Sequence, residues 1–507
     1  MRERRGEVRQ SEAERPKKGA EGAKMTAAWA GPTAVFAAVL AAQLWLVAAA
    51  GTDVPFQDQW DVEGRGLYPA WRDGTWRVAD FFAAHNEHRI VWTKALDVAL
   101  FSVNGQWDPL VQLVAGAVLR ALCAGGLAWT VSRATAAEGK GRAWIAGGVT
   151  LAFMPQLAWH NALWGFQSHV YFSLGFSLLA LGLLGGTETS WRRQFAGLAA
   201  GGAALLAMGA GALVPVALFG LAGLRAAERR KWEAARTKEI WPAAVLLGAA
   251  WALRVEVPAH AGLQARSVAQ WAETFLRVLA WPQAWQPLAA WAVNAPLAWV
   301  VVARIAGKRR ATSGEDLAVL IGGWVVAIAA ATAWSRGASG EFADAVPSRY
   351  ADFVGLLPLA NVWCAVVLVR EAVAARPQRA RLAAVLAMAW GGFVCVGWAG
   401  LSAEMVQKII LPRARDREAP VRLAVAFQRT GDAAVFAGQP RLLVPHPNPE
   451  SVRAVLTDER MRGALPPSFQ PEQPLGPLSR AVRAVLGRDP KQKAVSVPPG
   501  VRATEIQ

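Results

Sequence analysis

Eleven stretches of this 507-residue chain are apolar enough to lie in hydrocarbon, and no other feature constrains the fold as strongly. A bilayer core takes ~20 mostly apolar residues as a helix, with some spans shorter or broken. In lipid every backbone polar group must be satisfied within the segment, which selects helices. The stretches run 27–50, 109–131, 143–158, 166–186, 195–208, 212–224, 240–254, 286–303, 317–334, 351–369 and 382–400. The pair 195–208 and 212–224 is short for two crossings. It is divided at Met208-Gly-Ala-Gly-Ala212 because the charge pattern requires a return. Charged residues make up 18% of the chain, against ~25% in soluble domains. An ordinary cytosolic protein and a disordered chain are therefore excluded. The expected fold is an all-α polytopic membrane protein with about eleven transmembrane helices.

The net charge of +17 does not point to nucleic acid, because the basic residues sit in short segments between apolar runs. Loops 132–142, 187–194, 225–239, 304–316 and 370–381 carry 19 Lys and Arg in 59 residues. Loops 51–108, 159–165, 209–211, 254–285 and 335–350 carry 10 in 116. Positive charge marks the cytoplasmic side, so the expected N-terminus is cytoplasmic, the loop after the first span faces outward and the C-terminus lies outside. For a bacterial chain this means the inner membrane. Residues 1–26 read as a cytoplasmic basic tail leading into an uncleaved first span, and Met25 is an alternative start. Cys123, Cys364 and Cys395 are too few and too dispersed for a disulfide framework or a zinc site.

Residues 27–400 form the expected membrane domain, and two segments outside its spans are long enough to hold chemistry. The first loop, 51–108, has nine acids against five bases in an otherwise basic chain. Its apolar set Leu67, Trp71, Val78, Phe81 and Phe82, and its polar stripe Arg89, Thr93 and Asp97, predict short interfacial helices on the outer leaflet. The tail, 401–507, is punctuated by prolines around one amphipathic stretch, 450–465. It reads as a small outer appendage with a disordered end.

Four constellations stand out. In Pro55-Phe-Gln-Asp58-Gln-Trp-Asp61 the two acids are three apart, so a helical turn would place them on one face. Phe56 and Trp60 exclude some water there, an environment in which a carboxylate can act as a proton acceptor. In His85-Asn-Glu87-His88-Arg89 the two histidines could meet one ion if helical, and with Asp61 (or Asp58) would make a mixed O/N site for a divalent metal. No HExxH is present, and contact with an anion is the competing reading. The run Trp159-His160-Asn161-Ala-Leu-Trp164-Gly-Phe-Gln167-Ser-His169 reads as a pocket wall, against simple interfacial anchoring. At Ser348-Arg349-Tyr350 the arginine suits a phosphate at headgroup height or snorkelling to lipid. Arg120 inside the second span could face a cavity, and Arg254 and Glu256 could satisfy each other.

Taken together, many spans, a cytoplasmic N-terminus, an acidic motif at Asp58 and Asp61 in the first outer loop, interfacial helices there and an outer C-terminal piece resemble the GT-C superfamily of membrane glycosyltransferases. The FQDQWD and HNEHR runs also look like those of bacterial membrane proteins grouped loosely with them. The likeness covers residues 27–400. Two departures are that the acids are not adjacent and that the tail is not an evident sugar-binding module. The resemblance implies a polyprenyl-phosphate-linked sugar donor, an acceptor that is a glycan, lipid or protein, and surrounding membrane lipids as partners. It implies direct displacement with inversion, Asp58 as base ahead of Asp61, and Arg349, Arg89 and His88 (with a divalent ion if one is bound) stabilising the leaving phosphate. Trp60 or Trp164 would stack on the sugar. Glu87, His160, Asn161, Gln167, His169 and Tyr350 complete the expected binding set.

Competing readings are a flippase or transporter of a lipid-linked saccharide, an O-antigen polymerase or ligase, and a structural membrane protein. A flippase predicts polar groups deep in several spans, and these are sparse. A polymerase or ligase concentrates its site in a long late outer loop, whereas 335–350 is short. A cavity open to one face favours the transferase over transport.

Overall fold

The computed structural model describes residues 28–186, 190–229, 237–309 and 311–489. The expectations for the basic tail, for the alternative start at Met25 and for the disordered end beyond 489 lie outside the described residues. Within them the chain is helical, without strands, apart from one bridge between His85 and His88. Seven helices are long and apolar enough to cross a membrane: Ala28–Ala50, Pro109–Ala134, Gly165–Leu184, Gly209–Glu228, Ser313–Arg336, Ser348–Ala375 and Pro377–Arg415. The other four apolar stretches also fall in helices, Lys140–Phe153, Trp191–Leu205, Thr237–Ala252 and Ala295–Ile305, of 14, 15, 16 and 11 residues. At 1.5 Å per residue these reach roughly 17–24 Å, less than a ~30 Å hydrocarbon core.

Local chemistry sets the helix ends. Asp108 accepts from the Leu110 N–H at 3.0 Å, and Pro109 opens the helix Pro109–Ala134 with a preset φ. Thr312 and Glu315 form a reciprocal capping box at the head of Ser313–Arg336. Gly105, at φ +69°, closes Val91–Asn104. Trp191–Leu205 ends short of Met208, and a short 3-10 segment, Gly209–Leu213, leads into Val214–Arg229, so the chain breaks where the sequence divides it.

Two cores result. One joins the long helices through Leu174, Leu181, Val300, Trp324, Phe353 and Leu357. The other lies between the first loop and the C-terminal region, where Trp60, Tyr68, Phe101 and Trp107 pack on Leu423, Phe427, Val452, Met461 and Phe469. The tail therefore supplies half of a second hydrophobic core. It is also clasped by charge. Arg483, fully buried, pairs with Asp53 at 3.3 Å and with Asp108, while Ser468 and Ser479 each donate to one of those carboxylates at 2.6 Å. Arg488 donates to the carbonyls of Val47, Ala48 and Gly51 at the end of the first apolar helix, where unpaired carbonyls accumulate.

The polar stripe of the first loop faces inward. Thr93 and Asp97 are buried, Thr93 against Ser168 at 2.7 Å and Asp97 against Gln112 at 2.9 Å. A fully polar stripe can be buried because each member finds a partner. Arg120 does not face a cavity. It is buried and paired with Asp352 at 2.8 Å. Arg254 and Glu256 do satisfy each other, at 3.3 Å. Arg304 and Arg225 meet Asp316 at 2.9 and 2.6 Å near the start of Ser313–Arg336. Arg336 ends the same helix, so some 30 Å separates that ion cluster from the cavity described next.

Candidate functional site

A cavity of about 760 Å³ lies where the first loop meets segment 157–170, the loop 336–350, the end of the helix Pro377–Met405 and residues 441–442. Five of the six histidines line it: His85, His88, His160, His169 and His260. Its lining includes polar side chains, among them Asp58, Glu87, Arg336 and Glu341, and apolar ones, among them Leu157, Trp281, Leu401, Ile409 and Leu442.

The FQDQWD run splits at this cavity. Gln57 stands at φ +49° and donates its N–H to the Pro445 carbonyl at 2.6 Å, tying the turn to the C-terminal region. Asp58 projects onto the cavity wall, its Oδ2 3.3 Å from His85 Nε2. Gln59 lies beneath, accepting from the Phe56 N–H at 3.0 Å and donating to Gln112 at 2.8 Å. The Gly165 backbone packs so tightly against it that a Cβ there would stand 3.1 Å from Gln59 Nε2 and 2.9 Å from Gln112. Trp60 and Asp61 turn away, contrary to expectation. Trp60 is fully buried, with its N–H on the Pro55 carbonyl and its ring against Trp107 and Phe469, so it cannot stack on a ligand. Asp61 meets His446 at 3.1 Å and Arg65 at 3.3 Å, outside the cavity. The shared face fails although Asp58 opens the helical stretch 58–67, because from Trp60 that stretch winds as a π-helix, whose wider turn no longer brings positions three apart onto one face.

The HNEHR run is a tight turn rather than a helix. His85 and His88 exchange backbone hydrogen bonds of 2.7 and 3.0 Å across Asn86, at φ +48°. Ile90 follows at φ +35°, a strained conformation for a β-branched residue. Of the four non-glycine residues at positive φ among the described residues, Gln57, Asn86 and Ile90 line the cavity. Backbone strain of this kind persists where the surroundings hold it, often at functional sites. Glu87 Oε1 accepts from His260 Nδ1 at 2.6 Å and from Arg336 at 2.8 Å. Burial pushes its carboxyl upward, but those two hydrogen bonds and the Arg336 charge outweigh it and hold Glu87 at about 2. Glu87 is thus a fixed anion that pins the turn. His88 accepts the Gly209 N–H at Nδ1, 3.2 Å, so the neutral ring carries its proton on Nε2, and burial holds it below the ordinary histidine range. Arg89 does not reach the cavity. Its guanidinium donates to the carbonyls of Phe82 and Leu253.

The third run builds an aromatic wall. Trp159, His160, Trp164 and Phe166 stack in succession at 5.2, 5.2 and 5.9 Å, with Phe56 edge-on to Trp164. Trp164 has rings on both sides and is 7% exposed, so it too offers an edge rather than a face for stacking. Gln167 and His169 line the cavity, and His169 Nδ1 pairs with the Phe166 carbonyl at 2.9 Å. Asn161 lies behind the wall, donating to Asp352 at 2.9 Å and to the Arg349 carbonyl at 3.0 Å. It positions the Ser348–Tyr350 corner rather than touching a ligand. Arg349 and Tyr350 do line the cavity, but Arg349 is paired with Glu341 and lies 5.0 Å from the Tyr350 ring. Burial pushes His160 down to about 4, with the charges of Arg349, Arg413 and Arg441 acting in the same direction.

The expected metal set does not assemble. His85 points to Asp58, His88 to Gly209 and Asp61 to His446. Among the described residues no three His, Cys, Asp or Glu side chains converge as a metal would require. Sequence reasoning missed His260, Arg336, Glu341 and Arg441. Histidine scarcity was the available signal for the first, since a residue type used six times gathers here five times.

Below the cavity floor, Glu63 is fully buried and held only by neutral groups: Trp107 and Gln112 at 2.9 Å, and Gln59 and Tyr68 at 3.4 Å. Burial raises it to about 7 against those hydrogen bonds. Asp97, joined to it through Gln112, is also raised well above the carboxylate range, by burial and by Glu63. No protein-family model matches the chain, and neither the curated proteins nor the solved structures contain a match.

Proposed function

We propose that this chain is an inverting membrane glycosyltransferase. It would move a sugar from a polyprenyl-phosphate carrier to an acceptor hydroxyl at the outer face of a bacterial inner membrane. The observation that carries the reading is Asp58. It stands on the cavity wall 3.3 Å from His85 and, unlike Glu87, is paired with no arginine among the described residues. The lining holds both apolar and charged side chains, as a carrier with a hydrocarbon chain and an anionic head requires. In the reaction the acceptor oxygen bonds to the anomeric carbon as the bond to the carrier phosphate breaks. The phosphate leaves with the electron pair, and the hydroxyl proton passes to Asp58. His85 at 3.3 Å orients the carboxylate. The cavity lining comes from one end of the bundle, some 30 Å from the ion pairs of Asp316 near the other. That supports transfer over transport.

The finer topology belongs to this reading: about eleven crossings, with the first loop and the C-terminal region outside. The test uses the full chain reconstituted in vesicles with a panel of radiolabelled polyprenyl-phosphate sugars and membrane-extract acceptors. Asp58→Asn should lower transfer by at least a hundredfold, and Asp61→Asn should keep most of it. Unchanged turnover in Asp58→Asn, or no turnover by the natural chain across the panel, removes the assignment.

A further inference from the structure

Two polar atoms at the cavity wall have no partner. His160 Nε2 and Trp164 Nε1 are buried and make no hydrogen bond among the described residues. The indole N–H can only donate. A buried donor left unmet costs about 1–3 kcal/mol, so the Trp164 N–H, and His160 Nε2 in the tautomer that carries its proton there, both call for an acceptor. The surrounding charge gives its sign. Arg349 and Arg441 line the same cavity, and Arg413 stands over Trp159 at 6.0 Å, beneath the ring that stacks on His160. Arg349 is already neutralised by Glu341. Arg441 has no ion-pair or hydrogen-bond partner among the described residues, so its charge is uncompensated at the cavity mouth. The carboxylate whose charge reaches His160 is Asp58.

The geometry points to a phosphoryl-binding subsite formed by the edges of His160 and Trp164 together with Arg441. The expected phosphate ligand Arg349 serves as the paired neighbour that closes one side. This deepens the reading above by fixing where the phosphate sits. It also makes the C-terminal region, through Arg441, a part of the site. A phosphoryl group here satisfies both orphan atoms and the free guanidinium at once, whereas a neutral hydroxyl would leave the guanidinium unpaired. Two sources share this chemistry, a prenyl phosphate and a phospholipid headgroup.

Binding can be measured without turnover. The full chain in neutral detergent is titrated calorimetrically with farnesyl phosphate, with farnesol as the control for the apolar chain. Farnesyl phosphate should bind at least tenfold more tightly than farnesol. His160→Phe, which keeps the stacked ring, should remove about tenfold of that affinity, and Arg441→Gln about fivefold. Melting temperatures near the natural protein's would show both variants folded. Competition by phosphatidylglycerol nanodiscs at equal phosphate would assign the subsite to a resident lipid, and absence of competition to a prenyl phosphate. Either result supports the subsite. Equal affinity for farnesol and farnesyl phosphate, or unchanged affinity in both folded variants, overturns it. If the subsite holds while Asp58→Asn still turns over, the transferase reading falls alone.

Discussion

Asp58 and Asp61 are separated by three positions and answer to different histidines, His85 at 3.3 Å and His446 at 3.1 Å. What divides them is backbone: Asp58 opens the helical stretch, and the π-helix that begins at Trp60 carries Asp61. Residue types in this site were legible in the sequence, since acids and histidines at membrane depth are costly without a use. Their directions were not, because a spacing of three implies a shared face only on a regular α-helix, and nothing local announces a π-helix. Glu63 was illegible for another reason. As one acid among nine in the loop, nothing local marks it as the one enclosed by neutral donors. Its elevated folded value has a measurable consequence. The stability associated with its neutral form is fully present below about 4.5 and is lost as pH rises through about 7. Between pH 5 and 8 this group therefore costs the protein roughly 3 kcal/mol. Glu63→Gln should match the natural chain near pH 5 and melt higher at pH 8, the more so because it also removes the charge that helps raise Asp97. Thermal melts of the detergent-solubilised protein at the two values test this, and an identical pH slope in both proteins would refute it.

At the scale of elements, apolar length and capping chemistry were readable. The helix Pro109–Ala134 begins at an Asp-Pro pair and Ser313–Arg336 at a capping box. What could not be read was the pairing of the C-terminal region with the first loop, because no local pattern records a contact hundreds of residues away. The helix Pro477–Val485 makes that contact through Arg483, buried between two carboxylates. Removing the cation strands both acids in a dry site, which typically costs 3–5 kcal/mol for a buried pair. Arg483→Met should lower the melting temperature and expose the C-terminal region to protease. Neutralising the acids as well, with Asp53→Asn and Asp108→Asn, should restore much of the loss. A triple variant as unstable as Arg483→Met would show that the helix is held by packing instead.

For the whole molecule, the fold class follows from hydrocarbon-length segments, and seven helices meet that length unaided. The four shorter ones cannot be counted as crossings from length alone, so orientation needs its own measurement. Single cysteines at Ala79→Cys, Ala437→Cys and Lys308→Cys, in a background without Cys123, Cys364 and Cys395, sample the first loop, the C-terminal region and the Asp316 end. An impermeant maleimide on intact cells should label the first two and spare the third. Labelling of the third alone would invert the proposed topology.

The Arg483 clasp also bears on how the molecule is made. Asp53 leaves the ribosome 430 positions before the arginine that neutralises it. At ~5–20 residues per second that interval is roughly 20–90 s. Throughout it, the acidic segment behind the first helix waits in a nascent chain without its counter-ion. Maturation of the cavity is therefore a late event in biogenesis, and a truncated translation product would reach the bilayer with its first loop unfinished.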